Sequence, residues 1–255
     1  MRRAVVVVFS ALFFGVFAHP AGAAERVDLA LILAADVSRS IDQQEFELQR
    51  KGYAAAFTSN RVLAAIAAQP HQSIVVCLVE WSGLGDQKVV VDWTIVRDRG
   101  TGEAFASAIL EAPRPFAAFT SISAGIDFAM KQFANAGVDA ERRVIDVSGD
   151  GTNNSGRPVT DARDDAVAAG VTINGLAIIN KHPVPGYYEH TQPTEGLAEY
   201  YRRNVIGGPG AFHLVIENFS SFADAVQSKL IREIAESRPT HPAWRAEGPR
   251  PARDN

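Results

Sequence analysis

"VDLALILAADVSRS" (Val27–Ser40) is the stretch that decides how this chain folds. Val27 to Ala35 is apolar except for Asp28, and so continuous a run reads as a strand buried on both faces. The run stops at Asp36, and hydroxyls follow at Ser38 and Ser40. A strand that ends in a carboxylate and two serines either caps the next helix or holds something charged. Ser40 with Gln43 three residues later fits a capping box. Capping accounts for Ser40 but leaves Asp36 and Ser38 unexplained.

Working outward, five more strand-like runs follow: "SIVVCLVEW" (73–81), "QKVVVDWTIVRD" (87–98), "RRVIDVSGDG" (142–151), "VTINGLAII" (171–179) and "AFHLVIEN" (211–218). Segments with helical spacing separate most of them, among them "IDQQEFELQRKGYAAAFTS", "SISAGIDFAMKQFANAG", "EGLAEYYRRNVIGG" and "FADAVQSKLIREIAE". This alternation predicts an α/β fold: a single doubly wound, mostly parallel six-stranded sheet with helices on both faces. The link "SGLGDQ" is too short for a parallel crossover, which needs a dozen or more residues. The second and third strands are therefore expected as an antiparallel hairpin, with the third at the sheet edge.

At 255 residues the chain suffices for one domain with a full core. "MRR", the apolar "AVVVVFSALFFGVFA" and the small-residue site "AGA" read as a secretory signal peptide over residues 1–23. The apolar stretch is short for a membrane span, and no span is expected in the mature chain. The expected location is periplasmic or secreted. Losing Arg2 and Arg3 takes the formal charge from −4 to −6, with no Lys/Arg cluster, which speaks against nucleic-acid binding. The single cysteine, Cys77, lies within an apolar run and reads as a buried thiol. Residues 238–255 are rich in proline and charge and read as a disordered tail, leaving 27–237 as the domain.

In an open α/β sheet, ligands bind beyond the carboxyl ends of the strands, where strand order reverses. Three loops are expected there: Asp36, Ser38 and Ser40 after the first strand, Thr120 and Ser121 before a helix, and Asp150-Gly151 after the fourth strand. Asp-Gly is also a favoured turn pair. The set is rich in oxygen and free of His and Cys, which suits Mg²⁺, or Mn²⁺ or Ca²⁺, better than zinc or copper.

"DVSRS" fits the D-x-S-x-S motif of the von Willebrand factor A-like fold, "TSISAGI" resembles its threonine loop, and "VIDVSGDG" is similar to its strand ending in Asp-Gly. "VEWSG" and "SGDGTNNSG" further resemble a group of exported bacterial proteins of unknown function. The resemblance covers about residues 27–237 and implies a metal-ion-dependent adhesion site (MIDAS). Its ligands would be Asp36, Ser38, Ser40, Thr120 and Asp150, with a partner's Glu or Asp carboxylate completing the metal's shell. One position departs from the pattern: Gly149 stands where the family usually has Thr or Ser.

Other residues carry two readings each. Asp146 and Glu80 lie in strands, where a buried carboxylate needs a partner or a proton. Each is either a structural hydrogen-bonding group or an acceptor that orients the hydroxyl ligands from behind. Asn153, or Asn154 beside it, is placed to hydrogen-bond near the metal. Tyr187, Tyr188, Tyr200 and Tyr201 cluster around the long insertion 180–196, as a binding surface or as its anchor to the core. No nucleophile elbow, P-loop or dinucleotide fingerprint is present. Ser38 stands where an aspartyl phosphatase would carry its second Asp. The expected function is an exported, non-enzymatic module that captures a partner carboxylate through a divalent metal. The alternatives are a metal-dependent hydrolase or phosphotransferase on the same rim, or a purely structural metal.

Overall fold

A computed structural model of the chain describes residues 24–115, 119–179 and 193–236. The expected leader and the tail from 238 lie outside the described residues, as do Tyr187 and Tyr188. A short strand β1 (Arg26–Val27) leads into β2 (Leu29–Asp36), followed by β3 (Ile74–Trp81), β4 (Gln87–Val96), β5 (Asp139–Ala140), β6 (Arg143–Gly149), β7 (Thr172–Ile178) and β8 (His213–Ile216). Six of these form one sheet in the order β4-β3-β2-β6-β7-β8. All neighbours are parallel except β3 and β4, which run antiparallel and place β4 at the edge. The expected sheet and hairpin are both present. A second, two-stranded sheet of β1 and β5 was not expected from the sequence.

Alternation along β2 sorts its side chains onto two cores. Leu29, Leu31, Leu33 and Ala35 pack on one face against α1 (Gln43–Thr58), α2 (Asn60–Ala67), α3 (Arg99–Glu111) and α7 (Phe222–Ala235). Ile32 and Ala34 pack on the other against α4 (Ile122–Gln132), α5 (Val159–Ala168) and the turn made of α6 (Leu197–Tyr200) with Tyr201–Val205. Every residue of β2 and of β3 is buried. This explains why both strands read as unbroken apolar runs. Cys77 sits in that core as a free thiol, and burial pushes its pKa upward.

One helix start differs from the expected one. α1 is capped by Asp42, whose side chain accepts from Glu45 N while the Glu45 side chain accepts from Asp42 N. The capping box therefore begins two residues after Ser40, and Ser40 is released for other contacts.

The two strand carboxylates that the sequence singled out are both buried and both paired. Glu80 accepts from Arg50 Nε of α1 at 2.8 Å. Asp146 lies 2.6 Å from Lys229 Nζ of α7, and Lys229 also meets Glu233 at 2.5 Å. Asn174 Nδ2 donates to the same Glu233 oxygen, and Asn174 Oδ1 accepts from Phe212 N. Burial pushes the Asp146 carboxyl up to about 7; the Lys229 ammonium opposes the rise and Glu233 adds to it. A carboxyl raised in the folded state contributes stability below its unfolded pKa of about 4, and that stability is lost as pH rises toward 7. Lys229→Met strands two buried carboxylates and is expected to cost about 3–5 kcal/mol in urea unfolding, less at pH 5 than at pH 8. Asp146→Asn should flatten the dependence of stability on pH between about 4 and 7.

Candidate metal centre

The chain moves from β2 outward to β3 on one side and returns to β6 on the other, so strand order reverses between β2 and β6. Asp36 ends β2, and Asp150 follows the last residue of β6. Both side chains are fully buried. Parallel pairing of Ala35 with Ser148 keeps these two strand ends side by side.

The loop after β2 folds back on its own carboxylate. Asp36 Oδ1 accepts from Ser38 N at 2.8 Å, a turn that aspartate favours. Ser38 Oγ lies 3.1 Å from Ser40 Oγ. Ser40, no longer needed as a cap, donates to Asp150 Oδ1 at 2.7 Å. Thr120 Oγ1 approaches Ser38 Oγ at 3.4 Å. The five predicted residues are thus brought together by side-chain contacts that run from the β2 loop to the other two.

Two further groups hold these loops, and of them the sequence named only Asn154. Arg114 Nη2 donates to the carbonyls of Val37 at 3.1 Å and Ile41 at 2.8 Å. Its guanidinium rests on the Phe46 ring, which also carries the guanidinium of Arg50. Asn154 brackets Thr120: Thr120 N donates to Asn154 Oδ1 at 3.0 Å, and Asn154 N donates to Thr120 O at 2.9 Å. "TNN" marked that loop, but nothing in the sequence marked Arg114, a single residue in a proline-rich stretch. Asn153 does different work, accepting from Ser123 N and donating to Arg157 O, which ties the loop to the start of α4. Glu80 and Asp146 make their ion pairs with Arg50 and Lys229 within the helix-covered core.

The departure at Gly149 has a steric cause. A Cβ there would lie 2.7 Å from the Tyr201 hydroxyl and 3.0 Å from Asp36 Oδ2. A Cβ on Gly175 of the adjacent strand would lie 2.8 Å from the same tyrosine ring. Two glycines in the sheet therefore open the space that Tyr201 fills. Burial, with Asp36 and Asp150 adding, raises the pKa of the Tyr201 hydroxyl well above its ordinary value, so it carries its proton.

The donor set fits a hard divalent cation. Adjacent oxygens on an octahedron with bonds of ~2.0–2.1 Å lie about 2.9 Å apart. The observed oxygen–oxygen contacts of 2.7, 3.1 and 3.4 Å bracket that spacing. Among the described residues no group of three or more His, Cys, Asp or Glu side chains is placed to hold a metal. A metal at these loops would therefore depend on hydroxyls as much as on carboxylates.

The sequence profile of a protein family of unknown function, DUF1194, matches residues 26–238. The chain belongs to the DUF1194 family. No curated protein matches it. Solved structures similar to this DUF1194 chain share the von Willebrand factor A fold. One is proximal thread matrix protein 1 from the mussel byssus, with a zinc-occupied MIDAS motif; TM-score is 0.57 at 17% identity, covering 83% of this chain and 49% of that one. Another is a von Willebrand factor type A structure from Catenulispora acidiphila, with TM-score 0.54 at 14% identity, covering 82% and 43%. A third is the pilus adhesin SpaC from Lactobacillus rhamnosus GG, with TM-score 0.55 at 12% identity, covering 84% and 32%. The DUF1194 chain spans half or less of the length of each.

Arg114→Met removes the donors that hold the β2 loop and is expected to cost about 1.5–3 kcal/mol. Chemical unfolding reads the loss, and amide exchange should locate it at Val37 to Ile41.

Proposed function

We propose that this protein is an exported binding module that captures a carboxylate of a partner protein through a divalent cation held by Asp36, Ser38, Ser40, Thr120 and Asp150. The observation that carries this reading is the convergence of two buried carboxylates and three hydroxyls at the reversal point of the sheet. Two carboxylates balance the charge of a Mg²⁺ or Mn²⁺ ion, and neutral hydroxyls leave it receptive to one more anion. Mg²⁺ keeps open or water-filled positions when protein ligands are few. Such a position supplies the link to a partner's carboxylate.

The surroundings suit a protein partner. Ser40 is the partly exposed member of the set. Phe119, next to Thr120, is 66% exposed with the Arg39 guanidinium over its ring, and Leu84 in the β3–β4 hairpin is 69% exposed. Ser121 N donates to Ser82 O, which holds the threonine loop against that hairpin. Apolar side chains beside a charged centre are the composition of a protein-binding surface rather than of a site for small anions. The enzymatic reading has less support, since no described hydrogen bond joins a histidine to Ser38, Ser40 or Thr120. The matrix protein and the adhesin that share the fold favour binding in the same direction.

Thermal unfolding in Mg²⁺ or Mn²⁺ against EDTA tests the metal. Free ion at a hundred times its Kd should stabilise the wild type by about 2.7 kcal/mol, and Asp36→Ala should abolish the shift. No shift with millimolar ion would remove the reading. Where the shift is present, a periplasmic pull-down should lose its bound protein on adding EDTA, and Phe119→Ala should weaken capture without changing the metal-dependent shift.

A further inference from the structure

We propose that Tyr201 is a positioning residue of the metal centre: once a cation is bound, its hydroxyl donates to Asp36 Oδ2 and fixes the orientation of that carboxylate. The inference rests on the metal-binding reading above and adds to it a residue that lies 165 positions along the chain from the carboxylate it serves.

Three observations converge on it. The Tyr201 hydroxyl is fully buried and makes no hydrogen bond to any described group. A buried hydroxyl without a partner is costly, and phenylalanine would fill the same space without that cost, so the tyrosine points to a use for its oxygen. That oxygen and Asp36 Oδ2 border the same point in space, the one a Cβ on residue 149 would occupy, at 2.7 and 3.0 Å. Finally, the glycines at 149 and 175 clear room for the ring on two neighbouring strands, although glycine weakens a strand. The hydroxyl-bearing side chain that the resemblance places at residue 149 is missing here, and the Tyr201 hydroxyl stands in that space.

The backbone that delivers Tyr201 is also unusual. Tyr201–Val205 is a π-helical turn, closed by Ile206 N donating to Tyr201 O, a geometry often found at functional sites. The preceding residue, Tyr200, uses its hydroxyl to accept from Asn153 N in the loop after Asp150. One turn of chain therefore bonds the third metal-bearing loop through Tyr200 and sets Tyr201 in the space that borders the first. Carboxylates that bind metals are themselves commonly hydrogen-bonded, and losing such a partner costs about 10–100-fold in metal affinity.

The test uses the protein without its leader, with Mg²⁺ and Mn²⁺ as the probes. Isothermal titration should give Tyr201→Phe a Kd about 10–100-fold higher than wild type. Its metal-free melting temperature should be unchanged or raised, because the variant removes a buried unpaired hydroxyl. Amide protection over residues 197–206 should rise with metal in the wild type and not in the variant. Gly149→Ala should lower the melting temperature in the Tyr201 background and do so less in combination with Tyr201→Phe, because the clashing oxygen is gone. Wild-type binding with an unchanged Kd in Tyr201→Phe would overturn the proposal and leave the metal centre standing. A Kd that rises only in step with lost metal-free stability would overturn it as well. Failure of the wild type itself to bind metal would remove the centre and the tyrosine's role together.

Discussion

Parallel pairing of β2 with β6 is the constraint on which the rest of the structure depends. β2 lies in the middle of the sheet with every residue buried, and its one charged side chain sits at an end. Asp36 takes the carboxyl end, and the register with β6 places Asp150 beside it. Two carboxylates brought together out of water repel each other unless protons, donors or a cation intervene. Ser40 reaches Asp150, and Ser38 N reaches Asp36, so the loop between strand and helix supplies the first part of that compensation. The crossover that reverses strand order brings the threonine loop in against it.

Behind this rim the sheet carries polar groups that determine how the helices dock. Arg50 on α1 pairs with Glu80, and Lys229 on α7 meets both Asp146 and Glu233. Tyr53 on α1 contacts Ser148, the residue before Gly149. Buried ion pairs add little net stability over apolar packing, but breaking one is costly. A slide of α7 by one turn would strand Asp146 without its ammonium. Arg50 also donates to the carbonyls of Ile109 and Ala112 at the end of α3. It thereby fixes where the chain leaves α3 for Arg114 and the threonine loop, linking the buried charge of β3 to the geometry of the rim.

Space in the sheet is allotted as carefully as charge. Tyr201 reaches the rim because β6 and β7 each give up a side chain, at Gly149 and Gly175. Trp81 is accommodated in a similar way: a Cβ on Gly125 of α4 would lie 2.9 Å from its indole. Large rings against missing side chains keep the layers close while filling the core to the density that interiors require.

The sequence by itself determined the α/β class, the six strands, the antiparallel edge hairpin and the rim on which Asp36, Ser38, Ser40, Thr120 and Asp150 meet. Those features follow from local periodicity and from what strand ends in such a sheet are able to expose, and both are written within a few residues. Only the tertiary structure decided that Asp42 rather than Ser40 caps α1, because a cap depends on where the backbone turns. It also chose the partners: Arg50 for Glu80, Lys229 for Asp146, Asn154 and Arg114 for the loops, and Tyr201 for the gap at Gly149. Each of these joins positions far apart in the chain. A buried charge must be paired with something, but its residue type does not say with what; that choice is made by which surfaces the packed layers bring into contact.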